Sequence, residues 1–329
     1  MRSFAVGCLG WLLASSGAGS VAQAPLPSTP APRTVTSIDD EAIEQRILQA
    51  CAALRTSGRL VAAKELADQM TTAASVVRTL PAEHKNVVSG PDLHDLAQAS
   101  CRMVGHYYLC RECDEWHFTA ASGFCLDGEG AVATCAHVVA PDDGMRASFL
   151  VTADLHGAVW PVEKVLVAAV ANDVCVLQTS ERGAVGLPLR GLVRTGERVY
   201  CLSHPDHQFG FFSEGLLARQ FLARAQVEAP KSAEPKPGAP AAAAKPEAKG
   251  PALPWLHVTC DFCKGSSGAP ILDAMGNVVG VAQSTTTVLY DEAAVPVDTQ
   301  MVFKTATPAA ALLAMVRAPA AADVTPRKR

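Results

Sequence analysis

The amino-acid sequence predicts an all-β domain, a sandwich or a barrel, preceded by a small helical segment. Two observations carry this reading. Helical periodicity is confined to the residues before Leu93. From there on, short apolar runs alternate with turn residues such as Gly, Asp and Pro, as many short strands require.

Ser37 and Glu41 open the first periodic stretch, in which Ile43, Ile47, Cys51 and Leu54 recur at the three- and four-residue spacing of one helix face. A second stretch runs from Leu60 through Leu66 and Met70 to Val76 or Val77, with Pro81 closing it, so residues 36–80 are expected to form a helical hairpin within a helical segment at 36–92. Strands are expected at 103–109, 117–126, 131–134, 148–152, 174–177 and 198–202. They resume at 256–259, 269–272, 278–283 and 300–303, and Pro308 opens a short helix through Val316. Between the two groups, residues 228–252 are almost wholly Ala, Pro, Lys, Glu and Gly; without an apolar face they are expected to be a disordered insertion. Residues 318–329, ending Arg327-Lys328-Arg329, are expected to be a disordered tail.

Residues 1–24 read as an export signal, with Arg2 as the basic start, an apolar core at 4–13 and Ala22-Gln23-Ala24 as a cleavage site, an uncleaved membrane anchor being the alternative; a Pro-rich leader follows at 25–35. This reading implies a periplasmic or secreted protein. No later apolar run approaches the ~20 residues of a membrane span, so none is expected in the mature chain. In 329 residues, 49% hydrophobic side chains suffice for a sizeable core, and the net charge of −4 excludes general electrostatic attraction to nucleic acid.

Hydrolysis of an amide by serine needs a hydroxyl, a base for its proton, an acid that holds the base, and donors for the developing oxyanion. Thr134-Cys135-Ala136-His137-Val138-Val139 sets a histidine after an apolar strand, and Asn172-Asp173-Val174-Cys175-Val176-Leu177 sets an aspartate before another. Lys264-Gly265-Ser266-Ser267-Gly268-Ala269-Pro270 places a serine among glycines. The order is His, Asp, Ser. These segments resemble the T-A-A-H, D-I-A-L-L and G-x-S-G-G-P motifs of the trypsin-like serine proteases. Ser122-Gly123-Phe124, the run from Gly196 to Pro205, and Met301-Val302-Phe303 with Pro308 are most similar to the bacterial HtrA-like branch.

The resemblance spans residues 101–317 and implies two six-stranded antiparallel β-barrels within a protease domain at 93–317. It implies His137, Asp173 and Ser267 as a triad and the N–H groups of Gly265 and Ser267 as an oxyanion hole. Polypeptides would be the substrates, exported or misfolded ones in particular, and no cofactor is needed for catalysis. No PDZ domain is expected after Val316. Ser266 stands where digestive relatives carry an aspartate that pairs with a newly cut N-terminus, so activation by that ion pair is not expected. Asp261 and Ser284 are candidates for the S1 pocket. Asp261 is read either as a carboxylate for a basic P1 side chain or as a hydrogen-bonded structural aspartate. A catalytically silent peptide-binding module on the same scaffold is the alternative function.

Of eleven cysteines, Cys135, Cys175 and Cys201 occupy motif positions where a small apolar residue is usual and are expected to pack in the core. Two C-x-x-C pairs stand apart, Cys110 with Cys113, followed by His117, and Cys260 with Cys263. Together they supply four ligands for a structural zinc ion; disulfides and free thiols are the competing readings.

Overall fold

A computed structural model describes residues 37–70, 75–224, 252–289 and 299–317. The export signal, the Pro-rich leader, the insertion other than Ala252 and the tail lie outside the described residues. From Ile38 onward the described residues belong to one compact unit.

Helix α1 (Asp40–Thr56) begins where the Asp39 carboxylate accepts the Ala42 N–H at 2.9 Å, and Asp40 and Glu41 complement the positive end of its dipole. Ile43, Ile47 and Cys51, the face expected from the periodicity, are buried against Met103, Tyr107 and Phe118. Helix α2 (Ala63–Asp68) adds Leu66 to the main core. The second helical stretch does not continue to Val76 as expected. Val76–Val77 is a short strand, β1, pairing in parallel with Val316–Arg317, because extended β-branched residues find free backbone partners near the other end of the chain. Helix α3 (Gly90–Ser100) also departs from the sequence expectation. Ser89 accepts the Asp92 N–H at 3.3 Å, Pro91 sits in the first turn, and Leu93 and Ala97 are buried, so Ser89-Gly90-Pro91-Asp92 is the start signal that was available.

The first barrel contains β2 (Cys101–Cys110), β3 (Trp116–Phe118), β4 (Ala121–Cys125), β5 (Ala131–Thr134), β6 (Met145–Ala153), β7 (Val159–Ala169) and β8 (Val174–Thr179). The order β2-β4-β5-β8-β7-β6 closes through antiparallel pairing of β6 with β2, and β3 extends the β4 edge of β2. The second barrel contains β9 (Arg198–Ser203), β10 (Phe211–Arg224), β11 (Ala252–Val258), β12 (Pro270–Asp273), β13 (Val278–Leu289) and β14 (Thr299–Pro308). It closes in the order β10-β11-β14-β13-β12-β9. Helix α4 (Ala309–Met315) follows, and β15 (Val316–Arg317) ends the fold by pairing with β1.

The architecture is thus two six-stranded antiparallel barrels behind a small helical region, as the resemblance implies. Closure leaves each ring without an unpaired edge. Phe124, Val132, Val176 and Leu177, on the two faces of the first barrel's wall, all belong to the main core, and Val199, Leu217, Ile271 and Val279 belong to the core of the second barrel. Cys135, Cys175 and Cys201 are fully buried, as expected, and burial pushes their thiols well above the usual range. Among the described residues no helix is long and apolar enough to cross a membrane.

Candidate active site

The three motif residues converge where the barrels meet. His137 lies in a single 3₁₀ turn directly after β5, which lifts it from the barrel wall, and its side chain is 51% exposed. Asp173 closes the turn before β8 in a left-handed conformation, φ 52° and ψ 45°, which aspartate tolerates better than most residues. That geometry aims both carboxylate oxygens at one neighbour: Oδ1 accepts the His137 backbone N–H at 2.9 Å, and Oδ2 lies 2.7 Å from His137 Nδ1. On the other side of the ring, His137 Nε2 is 3.0 Å from Ser267 Oγ. Nδ1 facing a carboxylate is the protonated nitrogen, and Nε2 is then the acceptor that faces the hydroxyl.

The turn carrying Ser267 depends on two glycines. Gly265 has φ 92°, and a Cβ there would stand 2.5 Å from the His204 carbonyl; Gly268 has φ 91°, and a Cβ would stand 2.1 Å from the Ser122 carbonyl. Neither position accepts a side chain. The Lys264 carbonyl accepts the Asp206 N–H at 2.8 Å and is thereby turned into the protein. In a trans peptide the Gly265 N–H points the opposite way. Among the described residues neither the Gly265 nor the Ser267 N–H donates to a protein acceptor, so the turn carries two backbone donors not engaged within the protein.

Three residues that sequence reasoning passed over hold this arrangement. Gln283 of β13 donates from Nε2 to Asp173 Oδ2 at 3.0 Å, so the carboxylate is anchored from the second barrel as well as the first. Ser122 of β4 crosses the other way: its N–H donates to the Ser267 carbonyl and its Oγ to the Gly265 carbonyl, both at 2.9 Å. His204 is wholly buried beside the same turn, its Nδ1 accepting the Gly210 N–H at 3.1 Å, and burial pushes its pKa down to about 3, so the ring stays neutral near pH 7. Gln283 and Ser122 gain these roles only through partners distant in sequence.

Ser266 is fully buried. Its hydroxyl donates to Ser203 Oγ at 3.0 Å and accepts the Cys263 N–H at 3.3 Å. The turn is therefore braced by neutral groups and offers no carboxylate to a charged N-terminus.

Asp261 does not lie at the floor of a pocket. Its side chain is 77% exposed and pairs with Lys304 Nζ at 3.4 Å, while the same ammonium donates to the Phe262 carbonyl. Ser284 is half-buried on β13 opposite Thr305 of β14. An exposed carboxylate with a cation already beside it offers little to an incoming guanidinium. Asp261→Ala is expected to change the Arg-to-Val preference at P1 by less than about fivefold, the ceiling for an exposed ion pair worth ~1 kcal/mol. Matched peptide substrates measure this, and a larger collapse of Arg cleavage would return Asp261 to the pocket.

The two C-x-x-C pairs are not brought together. Cys260 is buried in the second-barrel core with Val258 and Phe262, its thiol pushed up to about 12 by burial, whereas Cys263 is exposed on the serine loop. Cys110 and Cys113 belong to the first barrel, where they gather with His117. The expected four-cysteine set is therefore corrected to two separate pairs, because Cys260 is a core side chain of the other barrel. N–H groups of Cys113 and Glu112 directed at the Cys110 sulfur hold that thiol below its usual range.

A double barrel with a His–Asp–Ser relay at its seam defines the trypsin-like class. Residues 121–281 match the model of the trypsin-like peptidase domain family. Among solved structures the fold is similar to the active form of the Rv3671c protease from M. tuberculosis, with 16% identity over 74% of this chain and 89% of that chain, TM-score 0.49. It is also similar to the HtrA-type protease AlgW with a tripeptide, with 15% identity over 69% of this chain, TM-score 0.46; the chain spans only 62% of AlgW's length. Deg5 is 19% identical over 68% of this chain and 90% of that one, TM-score 0.44. No curated protein sequence matches the chain.

Proposed function

We propose that the protein is a serine endopeptidase acting through an acyl-enzyme on Ser267. The observation that carries this reading is the continuous relay from Asp173 Oδ2 through His137 to Ser267 Oγ, at 2.7 and 3.0 Å. In the proposed reaction Ser267 Oγ attacks the scissile carbonyl while His137 Nε2 takes its proton, and the oxyanion forms toward the Gly265 and Ser267 N–H groups. Asp173 holds the imidazole tautomer and stabilises the imidazolium, which then protonates the leaving amine. Water, deprotonated by the same Nε2, releases the acyl group and restores the serine. No metal or organic cofactor enters these steps.

Exported or misfolded polypeptides in a periplasmic or extracellular setting are the proposed substrates, on the strength of the export-signal pattern at 1–24. The test is a fluorophosphonate probe with peptide mapping, run beside a peptide library read by mass spectrometry. Labelling is expected at Ser267 alone, with library cleavage abolished by the probe. Folded protein that neither labels nor cleaves would instead support a silent peptide-binding scaffold.

A further inference from the structure

We propose that Cys110, Cys113 and His117 form a binding site for a thiophilic divalent metal of the zinc class, independent of the peptidase reading. The three side chains sit on one hairpin. Cys110 ends β2, Cys113 lies in the turn and His117 is the central residue of β3, pairing with Tyr108. Their sulfur and ring-nitrogen atoms all lie within 4.8 Å of one another, and Cys113 Sγ is 3.0 Å from His117 Nε2. A tetrahedral ion with S and N bonds of about 2.3 and 2.0 Å needs those two atoms ~3.5 Å apart, so an opening of about half an ångström admits it.

The turn is built for a thiolate. The Cys110 N–H donates to the Glu115 carbonyl at 2.9 Å, closing the hairpin, and the Glu112 N–H reaches Cys110 Sγ at 3.4 Å. Asp114 takes a left-handed φ of 58°, which curls the chain so that Cys113 returns over the strand end, and its carboxylate is held by Arg146. Such N–H···S bonds disperse charge from a metal-bound sulfur. Two soft thiolates with one imidazole favour Zn²⁺ and exclude the oxygen-seeking Mg²⁺ and Ca²⁺. A disulfide between the two cysteines would leave the imidazole at 3.0 Å unexplained. With Cys113 exposed, the fourth position is open to water. The Arg111 N–H donates to the Gly144 carbonyl at 3.0 Å, so the ion would brace the segment leading from His137 into β6.

Metal-stripped full-length protein, reduced with a phosphine under argon, is titrated with Co²⁺ and then Zn²⁺. One Co²⁺ per chain is expected, with tetrahedral d–d bands and a thiolate charge-transfer band, both lost on adding one equivalent of Zn²⁺. Cys110→Ser and Cys113→Ser should each abolish the charge-transfer intensity expected of two thiolates, and His117→Gln should shift the midpoint to higher Co²⁺. The double variant Cys260→Ser, Cys263→Ser should titrate like the parent. Circular dichroism establishes that each variant is folded, and the exposed Cys113→Ser is the variant least able to disturb the fold. Absence of these bands in the reduced parent, or their persistence in folded Cys113→Ser, would overturn the site.

Discussion

Ser267→Ala is expected to lower kcat for peptide cleavage by about 10⁴- to 10⁶-fold, with KM changed little, and to remove fluorophosphonate labelling. In the proposed reaction this hydroxyl forms the acyl bond. Beyond His137, the hydroxyl makes a long 3.4 Å approach to the Gln283 carbonyl, so truncation removes almost no folding energy. The variant should therefore melt within ~1 kcal/mol of the parent, which separates lost chemistry from lost structure. The backbone donors at Gly265 and Ser267 survive the substitution and should leave a small residual rate above that of water. Steady-state kinetics beside thermal unfolding provide the check. Cleavage at the parental rate by purified Ser267→Ala would remove this serine from the mechanism.

The largest stability effect is expected at Arg102. This guanidinium, on β2, and the Glu181 carboxylate after β8 are only 6% and 5% exposed; Arg102 Nε donates to Glu181 Oε2 at 3.0 Å and Nη2 to Oε1 at 2.5 Å. Nη1 adds the carbonyls of Ala99 and Cys101, which ties the end of α3 to the start of β2. Arg102→Met keeps the length of the side chain but strands a buried carboxylate. The expected cost is about 3–5 kcal/mol, a large part of an ordinary domain's stability. Adding Glu181→Leu removes the stranded charge, and the double variant should recover most of that loss. Urea unfolding at pH 7 of the two single variants and the double variant measures the coupling. A single-variant loss below 1 kcal/mol would show that water reaches Glu181 freely.

What the sequence alone determined was local. The helical face of Ile43, Ile47 and Cys51 follows from periodicity, and the extent of β5, Ala131–Thr134, matches the apolar run that suggests it. The three site residues were legible because each sits in a short segment whose residue types already serve its geometry: a strand end for His137, a left-handed aspartate for Asp173, a glycine-flanked turn for Ser267. Tertiary structure decided the rest. The residues of β10, with Leu, Ala, Arg and Gln among them, have no strand-like composition, yet β9 and β11 pair with the two edges and hold them extended. Pro161 obscures β7 in sequence, but β6 and β8 bind it on both sides. Val76 and Val77 become a strand only because residues 316 and 317 arrive beside them. Gln283 and Ser122 enter the site, and Asp261 leaves it, through partners on other strands, 110 residues from Gln283 to Asp173 and 143 from Ser122 to Gly265. The two cysteine pairs look equivalent in sequence, but one is split between core and surface while the other meets a histidine. Backbone preference acts over a few residues and is written locally; a hydrogen bond or a burial between distant segments exists only once the barrels have closed and set those segments side by side.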